Sequence, residues 1–153
     1  MGLDMYLTAE KYASGYDFSD DKEIYTSVVN TIGAEPFADK HSPSVEISVT
    51  AGYWRKANAI HDWFVKTCQN GIDECQKSYV VRSQLEELRD LCKEVLLDKD
   101  KASELLPTSN GFFFGGTDYD DWYFNTLKDT VEMISNLLKN VPEDWEFYYR
   151  SSW

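Results

Sequence analysis

Val45-Glu46-Ile47-Ser48-Val49-Thr50-Ala51-Gly52-Tyr53-Trp54-Arg55-Lys56-Ala57-Asn58-Ala59-Ile60-His61-Asp62-Trp63-Phe64 changes its hydrophobic period part-way along. Val45, Ile47 and Val49 alternate with Glu46, Ser48 and Thr50, which is the period of a strand with one buried face. Beyond Gly52 the apolar residues Ala57, Ile60, Phe64 and Cys68 recur at helical spacing. The reading is a strand ending near Gly52 and a helix running from Trp54 to about Cys68, stopped by Gln69-Asn70-Gly71. A strand feeding a helix, with neither repeated in tandem, points to a mixed fold.

The flanking segments complete it. Leu3, Met5, Leu7 and Ala9 alternate with Asp4, Tyr6, Thr8 and Glu10, predicting a first strand. Ser19 is placed to cap a helix with Asp20, Asp21 and Glu23 in its first turn, a stripe of Ile24, Val28 and Ile32, and a stop at Gly33. Ser83-Gln84-Leu85-Glu86 has capping-box spacing ahead of Leu85, Leu88, Cys92 and Val95 on one helical face. Thr117 or Asp118 would cap the longest helix, striped by Tyr123, Leu127, Val131, Ile134, Leu138 and Val141 and ended by Pro142. Trp145, Phe147 and Tyr149 then face one way, with Glu146, Tyr148 and Arg150 opposite, as a closing strand. The expected fold is α+β: one globular domain over residues 1–153, with a mostly antiparallel sheet that includes both terminal strands and three or four helices packed on it.

Composition limits the function. With 27 acidic against 15 basic residues the formal charge is −12, which repels phosphate backbones and anionic lipid, so neither direct nucleic-acid binding nor membrane binding is expected. An acidic surface of this kind either serves solubility or competes for a basic groove on another protein. Cys68, Cys75 and Cys92 form neither a disulfide framework nor a zinc spacing, which fits a reducing cytoplasm. The N-terminus has no basic-then-apolar leader, no run approaches the ~20 apolar residues of a membrane span, and Tyr6 stands where a myristoylation signal has Ser or Thr.

The chemistry concentrates in the quoted segment. On a helix begun at Trp54, residues 54, 58 and 61 share a side, so Trp54, Asn58 and His61 would line a pocket by stacking, amide pairing and imidazole contact, or else serve the core. Arg55 and Lys56 near a helix N-terminus, beside Tyr53 and Trp54, suit an anionic or flat ligand. Phe113, in the glycine-flanked run Gly111 to Gly116, is a further stacking candidate, although the run lacks the G-K-[ST] ending of a phosphate loop. Asp118, Asp120 and Asp121 are explained by a helix start without metal. His41 and His61 belong to no metal signature, and Cys68 lies about 10 Å along the helix from His61, too far for activation. The expectation is therefore ligand binding through Tyr53, Trp54, Arg55, Lys56, Asn58, His61 and Phe113, with no catalytic residue, metal or cofactor.

Met1-Gly2-Leu3-Asp4-Met5-Tyr6-Leu7, the segment from Gly52 to Val65, Gln69-Asn70-Gly71-x-Asp73, Leu105-Leu106-Pro107-Thr108 with Gly111-Phe112-Phe113-Phe114-Gly115, and Phe147-Tyr148-Tyr149-Arg150-Ser151-Ser152-Trp153 resemble a family of small proteins encoded by tailed phages and prophages. The resemblance spans most of the chain outside residues near 12–50, implies action in a bacterial host cytoplasm, and transfers no catalytic residue. It implies a counter-defence role, and the residue chemistry makes the leading expectation a non-enzymatic binder that sequesters a nucleotide-like small molecule, with Tyr53, Trp54 or Phe113 stacking on a base, Arg55 and Lys56 neutralising phosphate, and Asn58 or His61 reading polar edges. The alternatives are an acidic inhibitor of a host defence protein or nuclease, and a hydrolase of a small phosphorylated metabolite with His61 as acid or base and Arg55 stabilising charge. Exposed aromatics equally suit a homo-oligomer interface.

Overall fold

The computed structural model describes residues 2–111 and 114–153. Two compact units divide the chain, Met1–Ala9 with Thr50–Trp153, and Glu10–Val49. The architecture is α+β, and the described residues form a four-stranded antiparallel sheet and five α-helices. Strands β1 (Asp4–Ser14), β2 (Ser44–Arg55), β3 (Ser78–Val80) and β4 (Glu146–Ser152) lie in the order β2-β1-β4-β3, so both terminal strands are central.

In the larger unit the alternation of β1 and β4 is realised side chain by side chain. Leu3, Met5, Leu7, Phe147 and Tyr149 are fully buried, whereas Glu146 and Arg150 face out. Four helices complete this unit: α2 (Asn58–Cys68), α3 (Arg82–Leu97), α4 (Ala102–Leu105) and α5 (Asp121–Asn140). Leu85, Leu88, Cys92 and Val95 of α3 all enter the core, as their spacing predicts. Helix α2 buries most of its circumference, and Phe64 stacks on Tyr149 with centroids 4.0 Å apart. Such a helix is held by its surroundings more than by its own propensity.

Several boundaries differ from the sequence reading. Strand β2 continues to Arg55, so Trp54 and Arg55 are strand residues; the Lys56 N–H bonds the Leu3 carbonyl at 2.7 Å, which extends the pairing past Gly52. Helix α3 starts at Arg82, and Gln84 rather than Glu86 reaches back, accepting the Val81 N–H at 2.9 Å. Helix α5 is capped by Asp120, which accepts the Tyr123 N–H at 3.0 Å, in place of Thr117 or Asp118. Strand β3 pairs Tyr79 with Tyr148 over only three residues, too short for a period to show.

In the smaller unit, helix α1 (Lys22–Thr31) follows Asp21 instead of Ser19 and buries Val29. Ile24 and Ile32, read as part of its inward stripe, are exposed. Lys11 is nearly buried there and pairs with Asp21 at 3.0 Å.

Candidate functional site

The β2–α2 junction places the quoted residues on opposite sides of the backbone. Trp54 points inward at 4% exposure, its indole N–H donating to the Thr130 hydroxyl at 2.9 Å and its ring meeting Phe64 edge-on. Tyr53 points outward and donates its phenol proton to the Asp4 carboxylate. Arg55 and Lys56 are exposed, and neither forms an ion pair with another described residue. Lys56 has φ 54°, a left-handed conformation that is uncommon outside glycine. That twist turns the strand into the helix and lays the Lys56 stem against Gly115, where an added Cβ would sit 3.1 Å from the lysine Cβ.

Asn58 and His61, one turn apart on α2, are both buried, and both have partners. The Asn58 amide donates to the carbonyls of Phe114 (3.1 Å) and Gly116 (2.8 Å) and accepts the Ser109 N–H (3.0 Å), which ties the loop before α5 to the start of α2. His61 is 1% exposed. Its Nε2 lies 2.9 Å from Asp73 and its Nδ1 2.7 Å from the Tyr149 hydroxyl. A neutral ring satisfies both contacts, with Nε2–H donating to the carboxylate and Nδ1 accepting from the phenol. Burial holds the Tyr149 hydroxyl well above its ordinary range, so it remains a donor. The second Asp73 oxygen accepts the Trp153 indole N–H at 3.2 Å, and Phe114 packs edge-on to His61 and Trp153.

The structure thus brings together Asn58, His61, Asp73, Phe114, Tyr149 and Trp153. Asp73, Tyr149 and Trp153 were not candidates from composition or spacing, although all three fall within the segments that carry the family resemblance. Phe113 lies outside the described residues. Trp54 shares no helical side with Asn58 and His61, because it belongs to β2.

Beside this cluster is a pocket of about 200 Å³. Ala57, Asn58, Ala59 and Ile60 form one wall, Thr108, Gly116 and Asp118 another, and the first turns of α5 with Asp120, Trp122 and Tyr123 a third. Ala57 is the N-cap of α2 and has no side-chain oxygen to offer. Among the described residues the N–H groups of Asn58, Ala59 and Ile60 consequently find no acceptor. Asp118 makes no hydrogen bond or ion pair with another described residue, and Trp122 is half exposed. Tyr123 donates to the Leu106 carbonyl at 2.8 Å, fixing the floor. The lining therefore offers backbone donors, a carboxylate acceptor and an aromatic face within one small volume.

Cys68 and Cys92 are poorly placed to act as nucleophiles. Burial pushes the Cys68 thiol up to about 11 and the Cys92 thiol up to about 12, so neither is a thiolate near neutrality. Among the described residues no group of three or more His, Cys, Asp or Glu is placed to hold a metal ion. No helix among them is long and apolar enough to cross a membrane. No family model, curated protein or solved structure matches the chain.

Proposed function

We propose that this chain is a non-catalytic binding protein that holds a nucleotide-like small molecule at the pocket between the first turns of α2 and α5. The observation that carries the reading is the pocket's mixed polarity. Three unpaired N–H groups at the start of an 11-residue helix favour an anionic group, while the Asp118 carboxylate accepts from the N–H edge of a base and Trp122 supplies a stacking face. At about 200 Å³ the pocket is smaller than the ~300–1,000 Å³ of most ligand sites, so it encloses part of a nucleotide and leaves the rest at the mouth.

Binding is favoured over hydrolysis because His61, the acid or base that the hydrolase reading requires, is sealed at 1% exposure with both ring nitrogens engaged. In the cell, the role that follows from the phage resemblance is counter-defence by sequestering a nucleotide signal of the bacterial host. Calorimetry against mononucleotides and cyclic dinucleotides, with Trp122 fluorescence as a second readout, tests this. Binding weakened by Asp118→Asn and by Trp122→Ala, with the ligand recovered intact by mass spectrometry, is the expected result. Absence of heat and of fluorescence change across the panel rejects the reading.

A further inference from the structure

Helix α1, in the smaller unit, leaves an apolar row uncovered. Ile24, Val28 and Ile32 follow one another at a spacing of four, the ridge along which one helix packs into the groove of another. Ile24 is 38% and Ile32 67% exposed, with Val28 half-buried between them. Phe18 before the helix and Phe37 after it are exposed as well. The apolar side chains that this unit does bury are few and mostly small: Ala13, Val29 and Ala34. The helix has little of its own to hold it. It is ten residues long, its N-cap Asp21 makes no side-chain cap bond, and it buries Val29 alone. A helix of that length is marginal in water without a packed face.

We propose that this row docks a basic amphipathic helix of another protein. The ridge selects a helix, because a row at a spacing of four is complementary to the groove between two such rows on a partner helix. Charge selects the basic one. Between Glu10 and Val49 eight Asp and Glu stand against three Lys, a formal −5. Two of those lysines are engaged within the unit, Lys11 with Asp21 and Lys22 with Asp17. Asp20 and Glu23 at the start of the row, and Glu35 just past its end, are exposed and form no ion pair with another described residue. The last turn of α1 has no basic residue, so the negative end of its dipole is unanswered too. A helix with an apolar stripe flanked by Lys or Arg fills the row and meets these carboxylates.

The same charges disfavour the other occupants. Acids stand at both ends of the row, so a second copy laid along it in either direction sets acid against acid. Nucleic acid and anionic lipid are repelled outright. By helical rise the row is about 12 Å long, roughly two turns, which suits a short segment and a transient contact.

The test is fluorescence anisotropy of an end-labelled synthetic peptide of leucine and lysine, about 18 residues long with its leucines at helical spacing, titrated with the full chain. Two controls have the same length: the same residues in an order with no apolar face, and leucine with glutamate at helical spacing. The helical leucine–lysine peptide is expected to bind in the ~1–100 µM range and to weaken with salt, each control binding at least about tenfold more weakly. Ile24→Ser and Ile32→Ser should each weaken it by roughly tenfold, and Glu23→Gln by about threefold with a flatter salt dependence, while far-UV circular dichroism is unchanged. Leu97→Ser, which removes a 90% exposed leucine from the end of α3 in the larger unit, should change nothing. Equal binding of either control, equal weakening by Leu97→Ser, undiminished binding by the Ile24→Ser, Ile32→Ser double variant, or no anisotropy change at millimolar chain overturns the proposal. Sedimentation showing a dimer that Ile32→Ser dissolves overturns it by assigning the row to a second copy. Flotation with phosphatidylcholine vesicles that Ile32→Ser abolishes overturns it by assigning the row to lipid.

Discussion

Replacing Asn58 by alanine tests whether one amide organises the wall of the pocket. The side chain is 3% exposed and makes three hydrogen bonds, donating to the Phe114 and Gly116 carbonyls and accepting from the Ser109 N–H. A net hydrogen bond contributes about 1 kcal/mol, and a buried group left without a partner costs about 1–3 kcal/mol. The two carbonyls belong to a partly exposed loop where water can replace the amide, so the three losses do not sum in full. The expected destabilisation of Asn58→Ala is about 2–3 kcal/mol, read from the urea midpoint by tryptophan fluorescence. Asn58→Asp discriminates further. It keeps an acceptor for Ser109 but sets a carboxylate against two carbonyl oxygens at 2.8 and 3.1 Å, a repulsion larger than the ~0.3–1 kcal/mol an acid gains at a helix start. Aspartate should therefore be the worse replacement. An alanine variant within about 0.5 kcal/mol of the parent, or an aspartate variant more stable than the alanine one, would refute the idea that these three bonds hold the loop.

Thr130→Val should cost about 1–3 kcal/mol in urea unfolding, because it removes the acceptor of the buried Trp54 indole N–H while preserving side-chain volume. Lys56→Gly should raise stability by up to ~1 kcal/mol in urea unfolding, since glycine accepts φ 54° freely. Alkaline titration of unfolding should show stability falling from about pH 9. The buried thiols of Cys68 and Cys92 stay protonated in the fold up to about 11 and 12, whereas the unfolded chain releases those protons from 9.0 upward. Tyr149, also raised by burial, adds to the loss above pH 10, so Tyr149→Phe should flatten the limb there while giving up its bond to His61.

Elements with one unbroken period were legible in the sequence. The two-residue alternation of β1 and β4 and the 3-4-3 spacing of Leu85, Leu88, Cys92 and Val95 each name the buried side chains, because a single face of each element meets the core. Caps were less legible: Ser19, Ser83 and Thr117 have the chemistry of an N-cap as much as Asp21 or Asp120, and the choice among neighbours is made by packing. The amphipathic stripe of α1 misled because Ile24, Val28 and Ile32 fit a helical face that the smaller unit does not cover. The site was partly legible. Asn58 and His61 stood out by type, but the partners of His61 lie 12 and 88 residues away, a pairing no local pattern encodes.

The division of labour at the β2–α2 junction follows from a general requirement on buried polar groups. Trp54, Asn58 and His61 carry polar atoms into the interior, and each finds protein partners there: a threonine, a loop backbone, and an aspartate with a tyrosine. Groups so engaged are poor at exchanging partners with a ligand, but they rigidify what surrounds them. In the proposed binding role, recognition falls to what that scaffold leaves unpaired: the first N–H groups of α2 behind an alanine cap, the Asp118 carboxylate and the exposed indole of Trp122. A polar N-cap at residue 57 would test the logic from the other direction. Ala57→Ser supplies an internal acceptor to the α2 N–H groups, and should stabilise the fold by about 0.5–1 kcal/mol while lowering affinity for an anionic ligand.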